Sequence, residues 1–150
     1  MTYADTSFIG SAYVADANTD EAKRYLTTHE PRLPFLFLHW PEITRAVFTK
    51  STEPDAAWDT INADVLGGVK FHRPDVDADR VGQRAAGMLR NYVGRWPKLR
   101  SLDVMHVAAA IETGCKTFLS FDKSSFQRVL AHDQKLEVWP ELSPEEKKRL

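Results

Sequence analysis

Four acidic residues stand where the local pattern of this chain changes from one element to the next. Asp5 and Asp122 each follow a short apolar run that is typical of a β-strand. Glu42 and Asp103 each lie in the predicted first turn of a helix. Because sites in parallel α/β sheets form outside the carboxyl ends of the strands, this architecture can bring all four acids to one rim. We therefore treat them as the candidate catalytic residues.

Several carboxylates at one rim are suited to a divalent cation. Mg²⁺ and similar hard cations take oxygen ligands, and Mg²⁺ is usually held by only one or two carboxylates while it keeps several waters. Such a metal lowers the pKa of a bound water and neutralises charge on a phosphodiester. The four acids therefore predict metal-assisted hydrolysis that needs no nucleophilic side chain.

Each acid also has a simpler interpretation. Taken singly, Asp5, Asp103 and Asp122 are more often helix caps, and Glu42 is more often an ordinary first-turn acid. The prediction of a site depends on the joint placement of these residues at the ends of apolar elements.

The elements that must position the acids alternate between strand and helix. Short strands are predicted at 2–4, 35–38, 69–72, 117–121 and 136–139, with helical patterns between them. Parallel strands need helical crossovers, so this order predicts an α/β fold with a mainly parallel sheet of about five strands. We expect one domain over residues 1–140 and a peripheral C-terminal tail over 141–150. Three glycines between positions 82 and 94 predict an irregular helix there.

Composition and length are those of an ordinary globular domain. The chain has 150 residues, of which 43% are hydrophobic and 27% are charged, and its one cysteine, Cys115, has no internal disulfide partner. No secretory signal is readable, and the longest apolar run is far shorter than a membrane span. These features favour a cytoplasmic protein that does not enter a membrane.

The charge distribution bears on nucleic-acid binding. A net charge of −1 argues against a general nucleic-acid coat. An acidic metal site would hold much of the negative charge, however, and basic residues cluster between positions 80 and 100. Arg84, Arg90 and Arg100 are our candidates for contact with RNA, and a solvated helix face explains the same pattern equally well.

Four segments together resemble the PIN-domain family, and within it the VapC-type toxins of bacterial toxin–antitoxin pairs. They are Asp5-Thr6-Ser7-Phe8, Glu42 at a helix start, Arg100-Ser101-Leu102-Asp103-Val104-Met105-His106-Val107-Ala108-Ala109-Ala110, and Phe118-Leu119-Ser120-Phe121-Asp122. The resemblance spans nearly the whole chain, and the last two segments are its specific part. It implies a PIN-like three-layer α/β/α sandwich.

The resemblance also implies an activity. It predicts a Mg²⁺- or Mn²⁺-dependent endoribonuclease in which Asp5, Glu42, Asp103 and Asp122 hold the metal. Thr6, Ser7 and Ser120 would support those carboxylates by hydrogen bonding, and a VapB-like antitoxin and a homodimer would be expected. His106 lies one helical turn after Asp103 and is a candidate to orient it, although a packed histidine is the simpler interpretation.

Other functions fit the same residues. A housekeeping PIN-domain nuclease that processes RNA, or a catalytically silent PIN-like binding module, would keep the fold without the toxin. An aspartate after a first strand is also where phosphatases and response regulators are phosphorylated. The phosphatase lacks its expected second acid because Ser7 occupies that position, and the response-regulator pattern lacks an acidic pair near the N-terminus.

Overall fold

The computed structural model describes residues 1–150, which form two compact units. The N-terminal unit comprises Ala4–Pro74, and the C-terminal unit comprises Met1–Tyr3 together with Asp75–Leu150. Strand β1 (Thr2–Ala4) begins in the C-terminal unit, and its last residue is the first of the N-terminal unit. Each unit therefore contains one part of the first predicted strand.

The N-terminal unit contains four helices and a small sheet. In chain order these elements are α1 (Thr6–Tyr13), α2 (Thr19–His29), β2 (Leu33–Pro34), α3 (His39–Lys50), α4 (Pro54–Gly67) and β3 (Phe71–His72). Strands β2 and β3 pair in parallel, with Leu33 opposite Phe71. The side chains of Phe8, Phe35, Ile43 and Ile61 are almost fully buried and form the centre of this unit.

The predicted strand at 35–38 is wrong. This segment is a turn that leads into α3, with Phe35, Leu36 and Leu38 buried and Phe37 exposed. The backbone N–H of Leu36 donates to Nδ1 of His39 at 3.0 Å, and the backbone N–H of His39 donates to the carbonyl of Leu36 at 3.0 Å. Nδ1 accepts, so Nε2 carries the proton and donates to the carbonyl of Ala4 at 2.9 Å. His39 is therefore a structural residue that ties the end of β1 to the start of α3.

The C-terminal unit contains the other half of the fold. Its elements are α5 (Ala78–Tyr92), α6 (Ser101–Glu112), β4 (Thr117–Leu119), α7 (Gln127–Asp133), β5 (Glu137–Trp139) and α8 (Pro144–Lys147). Its sheet has the order β1-β4-β5, and β4 and β5 run parallel with Phe118 opposite Val138. None of the helices in the chain is long and apolar enough to cross a membrane.

The prediction of a single sheet with about five strands needs correction. Five strands are present, but three form one sheet and two form another. The strands are only two or three residues long, so each contributes few ladder hydrogen bonds and the predicted runs overstate their extent. The α/β class with parallel pairing is confirmed.

Helix α6 lies at the centre of the C-terminal unit. Seven of its residues, from Asp103 to Ala110, are buried, and small alanine side chains let neighbouring elements pack closely around it. Gly114 follows the helix with φ of +75°, a conformation that glycine adopts without steric cost, so the predicted stop is confirmed. Helix α5 packs on α6 and is continuous over 15 residues despite its glycines.

Two residues of the segment 141–150, Leu142 and Glu146, are buried, and the rest are exposed or half-buried. Glu146 of α8 is 1% exposed and accepts a hydrogen bond of 2.9 Å from Nε of Arg128, whose side chain is fully buried. The guanidinium of Arg128 also donates to the carbonyls of Ser120 and Pro140 at 2.5 and 2.6 Å. The buried arginine therefore joins α7, the end of β4 and the C-terminal helix.

Replacing Glu146 should weaken the fold. Burial works to raise the pKa of Glu146, but hydrogen bonds from Arg128 and from the backbone N–H of Ser143 outweigh it, so the pKa lies below its usual range. The ionised carboxylate thus contributes stability above the ordinary carboxyl pKa, and this contribution is lost as pH falls through the folded-state pKa. We expect Glu146→Gln to lower the free energy of unfolding at neutral pH by about 3–5 kcal/mol, because it leaves a buried cation unneutralised.

Urea unfolding at several pH values measures this effect. The deficit of Glu146→Gln should shrink in acid, where the native carboxyl also becomes neutral. The exposed neighbour Glu145 provides the matched control, since Glu145→Gln should change the free energy of unfolding by less than about 0.5 kcal/mol. Equal stability of the two variants would contradict the role given to the Arg128–Glu146 pair.

Candidate active site

Two of the four candidate acids meet at one arginine in the C-terminal unit. Asp103 lies in the first turn of α6, and Asp122 lies three residues beyond the end of β4. Nε of Arg100 donates to Oδ2 of Asp103 at 3.0 Å, and Nη2 of Arg100 lies 3.7 Å from Oδ2 of Asp122. The guanidinium of Arg100 therefore contacts both carboxylates, as expected for an acid cluster but not for two independent helix caps.

The loop after β4 fixes Asp122 by hydrogen bonds to one of its oxygens. Oδ1 accepts from the hydroxyl of Ser124 at 2.8 Å and from the backbone N–H groups of Ser124 and Ser125 at 3.2 Å each. Burial works to raise the pKa of Asp122, but these hydrogen bonds outweigh it and hold the pKa below its usual range. Asp122 is thus ionised at neutral pH and fixed in place.

Ser120 supports the same loop through the backbone. Its buried hydroxyl accepts from the backbone N–H of Asp122 at 3.1 Å and donates to Oε1 of Gln127 at 3.3 Å. The amide of Gln127 in turn donates to the carbonyl of Asp103 at 3.1 Å. Ser120 and Gln127 therefore link the backbones that carry the two acids.

The pKa of Asp103 is shifted in the opposite direction from that of Asp122. Its burial raises its pKa above the usual range, and the favourable charge and hydrogen bond of Arg100 offset this only in part. The nearby Asp122 carboxylate adds to the rise. An additional cation beside Asp103 would relieve this cost, so the position is suited to a metal ligand.

His106 is packed against β1. Its Nδ1 lies 2.7 Å from the hydroxyl of Tyr3, and only 1% of its surface is exposed. The ring of Tyr3 also stacks on Phe118 of β4 at 5.7 Å. These contacts give His106 a structural role in joining α6 to the sheet. His106 also acts on Asp103 directly by electrostatics, in the direction that lowers the pKa of Asp103.

The other two candidate acids lie in the N-terminal unit. Asp5 is 3% exposed and caps α1, where its Oδ1 accepts from the hydroxyl of Ser7 at 2.6 Å and from the backbone N–H of Phe8 at 3.0 Å. The hydroxyl of Thr6 donates to Oε1 of Glu42 at 3.0 Å. The neighbours Thr6 and Ser7 thus each hold one of the two acids, and His39 fixes the backbone before Asp5 to the helix that carries Glu42.

Each unit therefore contributes a pair of acids held by short hydrogen bonds. Neither unit by itself contains three or more His, Cys, Asp or Glu side chains placed to hold a metal ion. Every donor in both pairs is a carboxylate oxygen, which is the ligand type that Mg²⁺ and Mn²⁺ prefer over softer nitrogen and sulfur sites. The residues present fit such a cation by their chemistry.

The arginine candidates occupy different environments. Arg100 contacts the acid pair, whereas Nε of Arg84 donates to Oε1 of Glu112 at 2.7 Å. Arg90 is exposed on α5. Only Arg100 of the three is therefore part of the acid cluster.

Sequence reasoning missed several supporting residues. The residues predicted from the sequence do not include Ser124, Ser125 or Gln127. The pattern of an aspartate followed two and three residues later by serine is a turn signature, and it could have revealed the loop after β4. Nothing in the sequence indicates the contact of Gln127 with a residue 24 positions away.

Neutralising the two acids should shift stability in opposite directions. The raised pKa of Asp103 means that its contribution to stability is complete only below the ordinary carboxyl pKa and is lost as pH rises through the folded-state pKa. The lowered pKa of Asp122 means that its contribution to stability is complete above the ordinary carboxyl pKa and is lost as pH falls through the folded-state pKa. At neutral pH in EDTA we therefore expect Asp103→Asn to raise the melting temperature by a few degrees and Asp122→Asn to lower it.

Thermal unfolding from neutral to acidic pH distinguishes the two variants from wild type. Both differences should fade in acid, where the native carboxyls are also neutral. A fall in melting temperature for Asp103→Asn at neutral pH would show that the ion pair with Arg100 outweighs the cost of burial.

Comparison with known proteins identifies the fold of this chain. No protein-family model matches the sequence, and no curated protein matches it. Among solved structures, Mycobacterium tuberculosis VapC20, described as a toxin that cleaves the sarcin-ricin loop, superposes with a TM-score of 0.70. The match covers 92% of this chain and 98% of that chain at 19% sequence identity, a level that establishes the fold. The chain therefore has the fold of a VapC-type PIN domain, which fits the three-layer α/β/α sandwich that its motifs predicted.

Proposed function

We propose that this protein is a divalent-metal-dependent endoribonuclease and the toxin of a type II toxin–antitoxin pair. The observation that carries the proposal is the contact of Arg100 with both Asp103 and Asp122. Two carboxylates that contact one cationic side chain beside the end of a strand are typical of a site that binds a charged ligand. The likeness of the fold to that of an RNA-cleaving toxin supports the choice of RNA as substrate.

The proposed metal ligands are Asp5, Glu42, Asp103 and Asp122. Mg²⁺ or Mn²⁺ bound by these oxygens would supply an activated water and would neutralise charge on the scissile phosphate. Joining both acid pairs in one metal site is a proposal that rests on the placement of the four acids in the sequence.

The residues of the chain have separable roles in this proposal. The serines after Asp122 keep its carboxylate ionised and fix its Oδ1 by hydrogen bonds. Its Oδ2 lies towards Arg100, where a metal cation would also bind. Arg100 keeps the acids together when no substrate is present. Its side chain is 70% exposed, so it can move to a phosphate oxygen when RNA binds, and the bound metal would then balance the charge of the buried Asp103.

The same proposal includes the location of the protein, its protein partners and its RNA target. We propose that the protein acts in the cytoplasm, that a VapB-like antitoxin inhibits it and that it forms a homodimer. The RNA target is expected to be single-stranded or looped, because unstacked bases are easier to recognise than those in a helix.

Neutralising one acid of the pair should remove the activity. Asp103→Asn should lower the rate of RNA cleavage in Mg²⁺ or Mn²⁺ by at least about 100-fold, because a lost metal contact removes several kcal/mol of transition-state stabilisation and each 1.36 kcal/mol is tenfold. EDTA should abolish cleavage by the wild type, and Ca²⁺ should support it poorly. The measurement is cleavage of total cellular RNA, with mapping of the new ends.

Two controls make this test specific. The exposed Glu137 lies on β5, and Glu137→Gln should cleave like wild type. Circular dichroism should show that Asp103→Asn remains folded. Metal-dependent fragments that persist in Asp103→Asn would refute the assignment, and no cleavage by antitoxin-free wild-type protein would favour a PIN-like binding module.

Arg100 offers a second test of the same site. Arg100→Ala should lower cleavage by about 10–100-fold if the guanidinium contacts the phosphate in the transition state, while Arg100→Lys should recover only part of the loss because lysine cannot make paired contacts. Single-turnover cleavage rates measure this. Wild-type rates in Arg100→Ala would show that Arg100 only balances the charge of the acids.

A further inference from the structure

A groove runs along the exposed side of α5 in the C-terminal unit, and none of the four acids lines it. Its volume is about 740 Å³, which is within the range of sites that bind small molecules. Arg80, Arg84, Gly87 and Asn91 line it at the spacing of one helical face, and Glu112 and Gln134 also contribute. The helix therefore presents a continuous polar strip to whatever occupies the groove.

At the charged end of the groove, two arginines contact one carboxylate. Nε of Arg84 lies 2.7 Å from Glu112, and Nε of Arg80 lies 3.7 Å from it. These three are the only charged residues in the lining, so the groove carries one net positive charge. Both contacts use Nε, and the terminal guanidinium nitrogens make no hydrogen bond within the chain. Glu112 thus holds the guanidinium groups of Arg80 and Arg84 side by side. Their terminal N–H groups are suited to donate hydrogen bonds to a phosphate.

The other end of the groove is polar and aromatic. The hydroxyl of Tyr92 donates to Asp133 and accepts from the side-chain amide of Gln134 at 2.9 Å. Asn91 is exposed beside them and brings a second amide. Amide side chains can pair with base edges, and this end lies about 18 Å from Arg80 at 1.5 Å per helical residue. Phosphate donors at one end and amides at the other suit a nucleotide strand.

The lining does not suit a docked protein as well. Protein interfaces centre on large apolar or aromatic anchors that become fully buried. The one aliphatic side chain here, Met88, is already 94% buried within the fold, since its exposed fraction is 6%. The one aromatic side chain, Tyr92, is held within the chain by hydrogen bonds to Asp133 and Gln134. A polar groove with guanidinium and amide donors favours nucleic acid.

The groove and the acid pair share helix α6. Asp103 lies in the first turn of α6, and Glu112 is its last residue. Nine residues at 1.5 Å each place them about 14 Å apart along the helix axis. Nine residues are also two and a half turns, so the two side chains leave opposite sides of the helix. A strand that is cut near Asp103 therefore has to pass around α6 to reach the groove.

We propose that this groove along α5 binds the RNA strand at nucleotides several positions away from the cleavage site. The inference rests on the proposed ribonuclease function and adds to it a binding subsite formed by Arg80, Arg84, Asn91 and Gln134. The arginine pair takes a phosphate, and the amides contact a base farther along the strand. The subsite strengthens substrate binding without taking part in the bond-breaking step.

Gly87 allows a sharp test because it lies in the lining and a Cβ there would meet no atom within 4 Å. Gly87→Glu and Gly87→Lys both fill the groove, and both favour helix. Gly82 is the matched control, because it is also in α5 with open space around it and does not line the groove. The same two substitutions at Gly82 add the same charges to the same helix.

The first measurement is the binding of a short fluorescent oligoribonucleotide in EDTA, where no cleavage occurs. We expect Gly87→Glu to weaken binding about tenfold, Gly87→Lys to bind at least as well as wild type, and both Gly82 variants to stay within about twofold. Arg80→Ala combined with Arg84→Ala should reduce the slope of log affinity against log salt by about 0.7, since the pair contacts one phosphate and each phosphate contact on a single strand contributes about 0.7.

The second measurement is metal-dependent cleavage by the same variants. Gly87→Glu should raise KM with kcat unchanged, as expected when binding is lost equally from the ground and transition states. Wild-type cleavage together with unaltered affinity and salt slope in the Gly87 and arginine variants would overturn the subsite and leave the nuclease intact. Groove-dependent binding without cleavage by the wild type would support the subsite and overturn the nuclease.

Discussion

The contact of Arg100 with two carboxylates is the interaction on which the chemistry of the C-terminal unit depends. Asp103 emerges from a helix that is buried along most of its length, so its charge is costly and its pKa rises. Arg100 lowers that cost while remaining 70% exposed. Because the partner of a nearly buried acid is itself in solvent, the acid can exchange one cation for another without the fold having to open. A fully buried pair such as Arg128 and Glu146 has no such freedom and serves the fold alone.

Capping and ligation are not alternatives at these acids. For Asp5, the sequence leaves open whether the carboxylate caps a helix or serves a site, and Asp122 raises the same question. In both residues Oδ1 accepts the local hydrogen bonds, and in Asp122 the second oxygen is the one that Arg100 approaches. A carboxylate has two oxygens, so one can hold the backbone turn while the other contacts a cation. The cap then orients the acid, so a capping pattern in the sequence does not argue against a site at the same residue.

The sequence predicts the local elements well and the long-range contacts poorly. The helix that begins at Ser101, its stop at Gly114 and the strand around Phe118 are confirmed, since apolar periodicity and a glycine with positive φ are local signals. The apolar run at 35–38 misled because a buried turn and a buried strand have the same composition, and only the hydrogen bonds of His39 distinguish them. The packing of the C-terminal residues depends on Arg128 and Glu146, which are 18 positions apart and carry no local pattern. At the site, the motifs identify acids, whereas the glutamine and serines that hold them become evident only from the fold.

Helix α6 gives the C-terminal unit a fixed spacing between its two polar regions. Asp103 near one end and Glu112 at the other each accept a hydrogen bond from an arginine at the surface, while the residues between them are buried and close-packed. A helix packed in this way resists bending, since any shift would open gaps around its alanines. Polar groups at its ends are therefore held at a constant distance even though the arginines that contact them are exposed to solvent. A strand that contacted both ends would be aligned by this spacing, and a phosphate bound at one end would then determine which phosphate lies at the other.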